Sequence, residues 1–488
     1  MQRPGYNHSD ERAYLARGFW RDDDTLWHWL ARHAAERPSA PAVVSPAGQL
    51  TWRALHDRVL RVAQGLQDKG IGAGDVVAVQ LPNTPEFLLV HLAAARLGAV
   101  MCTVHMPYRG AEIEAILEHS GAKLFFTGAY PFTELEAGAP LPAEHPAPDA
   151  RDAFLLLYTS GTTASPKAVP HPYRTLLGNS RMGSREHRLT ERSRILCAAP
   201  LSHLYGLYSL HCAWSVGACT VLLPAYKPDE LAQTVERERP TALWCGPAHV
   251  AACRNAGLFD KHDWSSLELA IVSGSIAPPA LVRELAAKLP RCAVTQLWGM
   301  TELQAGLYTR PGDPLELSAT TAGRPSPGTE LRVAADGELQ VRGPLAFSGY
   351  YRNDDATRAA FSADGWFRTG DLAEERKGYF AITGRSKDVI NRGGVKFNPA
   401  DVETLLDAHP QIQQTAIVPM PDPVLGEKAC AFITLRPGCD APTLDDVVRY
   451  LLAKEIAKNK LPERLVVIPE MPLTPTRKII KSKLRLPG

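Results

Sequence analysis

No apolar run in this chain is long and clean enough to cross a membrane. The greasiest window, FLLVHLAAARLGAVMCTV at 87–104, is broken by His91 and Arg96. The opening MQRPGYNHSDERAY lacks the apolar core of a secretory signal, so a soluble, cytoplasmic protein without membrane contact is expected. Charge of one sign is also missing. Lys plus Arg number 54 against 52 Asp plus Glu, a formal +2, so no global field draws the chain to nucleic acid or anionic lipid. Any anionic ligand must be held locally. None of the nine cysteines forms a C-x-x-C pair, which argues against zinc ribbons and disulfide frameworks and leaves buried, reduced thiols. No internal repeat with a period of about 20–50 residues is visible, which sets solenoids aside.

What is present is the composition of an ordinary globular enzyme, 45% apolar and 22% charged, in a chain too long at 488 residues for one core. From about residue 24 to 300, helical stretches alternate with short buried runs: DVVAVQL, AKLFFTG, FLLLYTS, ACTVLLP, TALWCG, LELAIVSG and AVTQLWG. This reads as α/β with mainly parallel strands. Several runs end in Gly, Ser or Thr, which puts a ligand at the strand ends. The Pro- and Ala-rich PLPAEHPAPDA before Tyr158 reads as a surface connection without chemistry. From 337 the texture changes to short alternating strands, GELQVRGP, DGWFRTGD and KGYFAITG, and a β subdomain is expected. A second compact unit starts near Gly384 and has apolar strands and helices of its own. The expected fold is a large N-terminal α/β domain at 1–386 and a small, mobile α+β domain at 387–488.

The stretch YTSGTTASPKA, 158–168, crowds hydroxyls, a glycine and a lysine behind the strand FLLL. It lacks Walker spacing, but hydroxyls and backbone N–H groups of such a loop can wrap phosphate oxygens while Lys167 adds a point charge. LWGMTE, 297–302, puts a flat aromatic, a hydroxyl and a carboxylate after another apolar strand. Together with PLSHLYG (200–206), GELQVRGP, GWFRTGDL (365–372), GRSKDVINRGG (384–394) and PLTPTRKIIK (472–481), in that order, these motifs resemble the adenylate-forming superfamily. That superfamily includes acyl- and aryl-CoA synthetases, peptide-synthetase adenylation domains and luciferases. The texture is most similar to aryl- and alicyclic-acid:CoA ligases.

The resemblance implies two half-reactions. A carboxylate attacks the α-phosphate of ATP to give acyl-AMP and pyrophosphate, and a thiol, commonly that of coenzyme A, then takes the acyl group. By resemblance, Thr159, Ser160, Gly161, Thr162, Thr163 and Lys167 would cradle the β- and γ-phosphates. Thr301 would bond the α-phosphate and Glu302 would hold Mg²⁺, a hard cation that takes few carboxylates. Asp371 would accept from the ribose hydroxyls, with Arg385 approaching the same ribose. Trp298, where the family usually has tyrosine, would stack on adenine beside Gly299, and Ser275 and Ile276 would line the other face. Lys478 would contact the reacting oxygens as negative charge builds between them. His203 would gate the acyl pocket, formed with Leu204, Gly274 and Met300, and Lys387 would be the pivot of a domain swing. Arg392, Gly393 and Gly394 would then line the pantetheine tunnel.

Leu204 stands where amino-acid-activating relatives carry aspartate and dihydroxybenzoate-activating relatives carry asparagine. An apolar, non-amino acid is therefore expected, whether aryl, cyclic or medium-chain. Three residues depart from the family pattern: Ala164 and Ala168 for loop glycines, and Arg477 for the glycine before the catalytic lysine. They keep two alternatives open, a specialist that makes only the thioester from a ready-made acyl-adenylate and an enzyme that loads an acyl carrier protein. A silent ATP-binding scaffold is disfavoured by the presence of Glu302, Asp371, Arg385 and Lys478.

Overall fold

Strands whose every residue is buried need cover on both faces, and here they form two largely parallel sheets. The larger has nine strands, in the order Arg324–Pro325, Gln304–Tyr308, Ala293–Met300, Leu269–Val272, Ala242–Cys245, Arg194–Cys197, Cys219–Val221, Pro41–Ser45 and Gly48–Thr51. Its six inner strands are parallel, and antiparallel pairs close both ends. The second has five, Leu124–Thr127, Val76–Gln80, Val100–Thr103, Ala153–Tyr158 and Ala168–Pro172, parallel except for the last pair. The structure is a computed structural model and describes residues 8–159, 167–474 and 478–486.

One core joins the two sheets, with Val77 and Phe154 from one and Trp244 and Ile271 from the other. The helices Tyr173–Glu186 and Leu204–Val216 run through it, buried almost all round as an interior helix must be. The stretch before Tyr158 is exposed over most of its length, as a surface connection should be, but it is anchored to the core at a few points. Leu135, Leu141 and Ala150 are buried, and the carbonyls of His145 and Pro146 accept from the buried guanidinium of Arg96 at 2.8 Å each. The segment thereby solvates a cation that would otherwise be stranded in the core.

The expected β subdomain is a four-stranded antiparallel sheet, Glu330–Val333, Glu338–Arg342, Phe367–Arg376 and Tyr379–Arg385, and it begins several residues before 337. Beyond it, Val395–Phe397, Ile390–Arg392, Gly426–Leu435 and Ile412–Asp422 form a sheet, to which Arg464–Val467 adds in parallel. Helices Ala400–Leu406 and Leu444–Ala453 cover it around a separate apolar cluster that includes Ile390, Val402, Ile417 and Leu451. All nine cysteines are free, eight of them buried. Among the described residues no helix is long and apolar enough to cross a membrane.

Candidate active site

The strand Ala153–Tyr158 runs antiparallel to Ala168–Pro172, and the Thr159 N–H donates to the Lys167 carbonyl at 2.8 Å. The two described ends of the hydroxyl-rich segment thus meet beside the sheet. Ser160, Gly161, Thr162, Thr163 and Ala164 lie outside the described residues, as does Arg477. Ala168 is a correction to its reading as a loop residue. It is fully buried in a strand, opposite Tyr158, so a methyl group there packs into the core and burdens no mobile loop.

At the far end of that segment the Lys167 ammonium lies 5.1 Å from the centre of the Tyr350 ring, within cation–π range. The Tyr350 hydroxyl donates to Glu302 Oε1 at 2.8 Å. Glu302 is buried next to half-buried Thr301, and burial raises its carboxyl pKa. The Tyr350 hydrogen bond and the charges of Lys167 and Arg385 oppose that shift. Among the described residues no three metal-ligating side chains cluster. A single buried carboxylate fits Mg²⁺, which completes its shell with water and phosphate oxygens, better than an all-protein cage would.

Asp371 and Arg385 face each other across neighbouring antiparallel strands, with Arg385 Nε 3.1 Å from Asp371 Oδ1. The other carboxylate oxygen, Oδ2, accepts from Trp298 Nε1 at 2.8 Å. Gly299 has a steric duty: a Cβ there would come within 1.7 Å of the Gln304 carbonyl, where the hairpin from Ala293–Met300 to Gln304–Tyr308 carries a bulge. Gly274 follows the strand Leu269–Val272 with φ +96°, and nothing lies within 4 Å of the position a Cβ would take. Ser275 is exposed beside it, and Ile276 keeps half its surface open. This is an open step at a strand end, with one apolar side chain on it.

Lys478 reaches this group from the C-terminal unit. Its backbone N–H donates to Thr474 Oγ1 at 2.9 Å and its carbonyl accepts from the Thr474 N–H, which sets the side chain's exit. Its pKa is lowered by burial and by Arg385, while Asp371 and Glu302 pull the other way. His203 caps the helix Leu204–Val216, its Nδ1 accepting from the Tyr205 N–H at 3.2 Å. Burial, and then the neighbouring Lys478 and His105, hold its pKa well below the usual imidazole value. Leu204 is buried behind it, and Met300 packs on the apolar cluster around Phe347 and Tyr350.

Residues 30–351 match the family model described as "AMP-binding enzyme", and residues 401–478 match "AMP-binding enzyme C-terminal domain". The chain belongs to the AMP-binding, adenylate-forming enzymes. It is 29% identical to the medium-chain fatty-acid–CoA ligase of Escherichia coli K12, over 98% of this chain and 93% of that protein. It is 33% identical to pyochelin synthase PchD of Pseudomonas aeruginosa, over 97% and 94%. The anthranilate CoA ligase AuaEII, solved in complex with anthranoyl-AMP, superposes with a TM-score of 0.87 at 25% identity, covering 95% of this chain and 96% of that one.

In this AMP-binding enzyme the structure gathers Lys167, Trp298, Glu302, Asp371, Arg385, Lys478 and His203 into one charged neighbourhood. The residues read as pivot and tunnel are elsewhere. Lys387 is exposed in the short turn Ser386–Asp388, and Arg392 pairs with Glu463 inside the C-terminal unit. Gly393 and Gly394 form an exposed two-residue hairpin turn with φ of +61° and +87°, a conformation that favours glycine at both positions. Sequence reasoning missed Tyr350, Thr474 and His105. The His105 ring stacks at 6.2 Å on His203, and its Nδ1 bonds Ser202 Oγ at 2.9 Å. The tyrosine-rich GYY at 349–351 was a signal of sorts for Tyr350, but its partner Glu302 lies 48 residues away.

Proposed function

We propose that the chain is an acid:CoA ligase that activates an apolar, non-amino carboxylic acid, whether aryl, cyclic or medium-chain, and transfers the acyl group to coenzyme A. One observation carries the reading: Lys478, from the C-terminal unit, stands in the field of Glu302, Asp371 and Arg385 and acts on His203. That is the charge distribution a carboxylate attacking an α-phosphate needs, with a cation where two anions must approach. A substrate carboxylate oxygen bonds to the α-phosphorus as the bond to pyrophosphate breaks. Lys478 and Thr301 would neutralise the charge that gathers on the transferring oxygens. Asp371 and Arg385 would hold the ribose, and Trp298, Gly299, Ser275 and Ile276 the adenine. Lys167, with the hydroxyls of 159–163, would hold the outer phosphates. Glu302 would hold Mg²⁺, which screens phosphate charge when bound.

In the second half-reaction the sulfur of coenzyme A bonds to the acyl carbon and AMP leaves. A division of the chain at 386/387, with the C-terminal part swinging about Lys387, would exchange Lys478 for Arg392, Gly393 and Gly394 at the acyl group. The exposed turn at Ser386–Asp388 and the exposure of the Gly393–Gly394 turn in this arrangement support that exchange. Leu204 and the similarity to a medium-chain fatty-acid–CoA ligase support an apolar acid. The placement of Ala168 in a strand removes one argument for a half-reaction specialist.

The test is pyrophosphate exchange across a panel of acids beside thioester formation from a synthetic acyl-adenylate. Lys478→Ala is expected to lower exchange by about 10²- to 10³-fold and to spare thioester formation. Equal loss of both would overturn the division of labour. No exchange with any acid, alongside brisk thioester formation, would favour the specialist. Transfer to an acyl carrier protein but not to coenzyme A would identify a carrier-loading enzyme.

A further inference from the structure

We propose that Trp298 is a positioning residue for Asp371: its indole N–H fixes the carboxylate that receives the ribose of the nucleotide. The inference rests on the reading of Asp371 as the ribose acceptor and adds a residue that acts through it. An ionised carboxylate only accepts, and its two oxygens offer about four lone-pair positions. In Asp371 one position on each oxygen is already taken, Oδ2 by Trp298 Nε1 at 2.8 Å and Oδ1 by Arg385 Nε at 3.1 Å. Each oxygen therefore keeps an acceptor site, which suits a vicinal diol. The two donors differ in kind. The Arg385 side chain is half-exposed, so solvent and salt screen its hold, whereas the indole is a neutral, half-buried donor that does not depend on ionic strength.

The indole is seated by the backbone around it. At Gly306, on the paired strand, a Cβ would come within 2.7 Å of Trp298 Cζ3 and 2.5 Å of Leu303 Cδ2, so the missing side chain makes room for the larger ring. The bulge between Trp298 and Gly299 sits beside that contact. A tyrosine at 298, which the family resemblance leads one to expect, has no ring N–H to donate. Trp298→Phe keeps an aromatic face for adenine while removing the donor together with part of the ring, so comparison with Asp371→Asn, which leaves the ring whole, separates the hydrogen bond from stacking.

The test uses the full chain in ATP-dependent pyrophosphate exchange with a competent acid, and AMP titration by calorimetry. Trp298→Phe is expected to raise the KM for ATP about tenfold, with most of the loss in KM rather than kcat, and to narrow the preference for ATP over 2′-deoxy-ATP. Gly306→Ala, which displaces the ring, should reproduce this. In an Asp371→Asn background, Trp298→Phe should add less than about a twofold further effect, because the two act as one unit. An unchanged KM for ATP, or effects of Trp298→Phe and Asp371→Asn that multiply, would overturn the inference while leaving the proposed function standing. A wild type that binds no AMP or ATP would overturn both. If Trp298→Phe does not fold, the indole ¹⁵N–H resonance of the wild type decides. It should shift on AMP binding and in Asp371→Asn, and an unmoved resonance in Asp371→Asn rejects the contact.

Discussion

Tyr350 shows how one hydroxyl can set the working range of a site. Its ring carries the Lys167 ammonium and its hydroxyl holds Glu302, so it links the lysine read as a phosphate contact to the carboxylate read as the Mg²⁺ ligand. Burial pushes the Glu302 carboxyl pKa upward, and the Tyr350 hydrogen bond is the largest influence pulling it back. Without that bond the carboxylate takes up its proton at higher pH. Tyr350→Phe is therefore expected to raise the Mg²⁺ concentration for half-maximal exchange by about 3- to 10-fold and to move the acid limb of the rate profile to higher pH. Rates measured across Mg²⁺ concentration and pH check both. A change in kcat alone, with the Mg²⁺ dependence and the acid limb in place, would contradict it.

The helix Ala400–Leu406 ends on Asp407, a carboxylate at the negative end of a helix dipole. Burial, followed by the charge of Glu403, raises its pKa to about 7. A carboxyl raised in the folded state binds its proton there while the unfolded chain has already lost it, so this element loses stability as pH climbs from about 4 through 7. Asp407→Asn should stabilise the C-terminal unit at pH 8 by on the order of 1–3 kcal/mol, with the gain vanishing toward pH 4, as followed by thermal unfolding. Elements of this size are where the sequence was most readable. Apolar runs announced the strands, and ordered motifs singled out Lys478, Glu302, Asp371 and Arg385, which the fold brings into one neighbourhood. The Trp298–Asp371 bond, the Tyr350–Glu302 bond and the contact of the connection before Tyr158 with Arg96 could not be read. Each joins residues tens of positions apart, through atoms whose meeting depends on sheet order rather than local pattern. Ala168 was misread for a related reason: one residue separates loop from strand, and no local pattern marks that step.

Among the described residues eight histidines are buried, among them five that stand apart from the candidate active site. His33, His91, His171, His187 and His211 are all buried, and His91 and His211 meet Nε2 to Nε2 at 3.0 Å, one donating and the other accepting. Burial lowers each pKa, to about 4 for His33, to about 3 for His91, His171 and His187, and well below the usual value for His211. These groups stay neutral in the fold but protonate near pH 6.5 once the chain is open, so stability is lost as pH falls below 6.5. At full effect five such groups cost on the order of 7 kcal/mol per pH unit, and the unfolding temperature should drop steeply between about pH 6 and 5. A flat profile there would show that some of these rings are charged in the fold. The hydrogen bond from Thr159 to the Lys167 carbonyl carries a different lesson, about how such a chain can change. With the two ends joined, the entropy of closing the intervening segment grows only as the logarithm of its length, about 0.6 kcal/mol per doubling. Changes in length between these two anchors therefore cost the fold little, and the pairing of the strands on either side can outlast them.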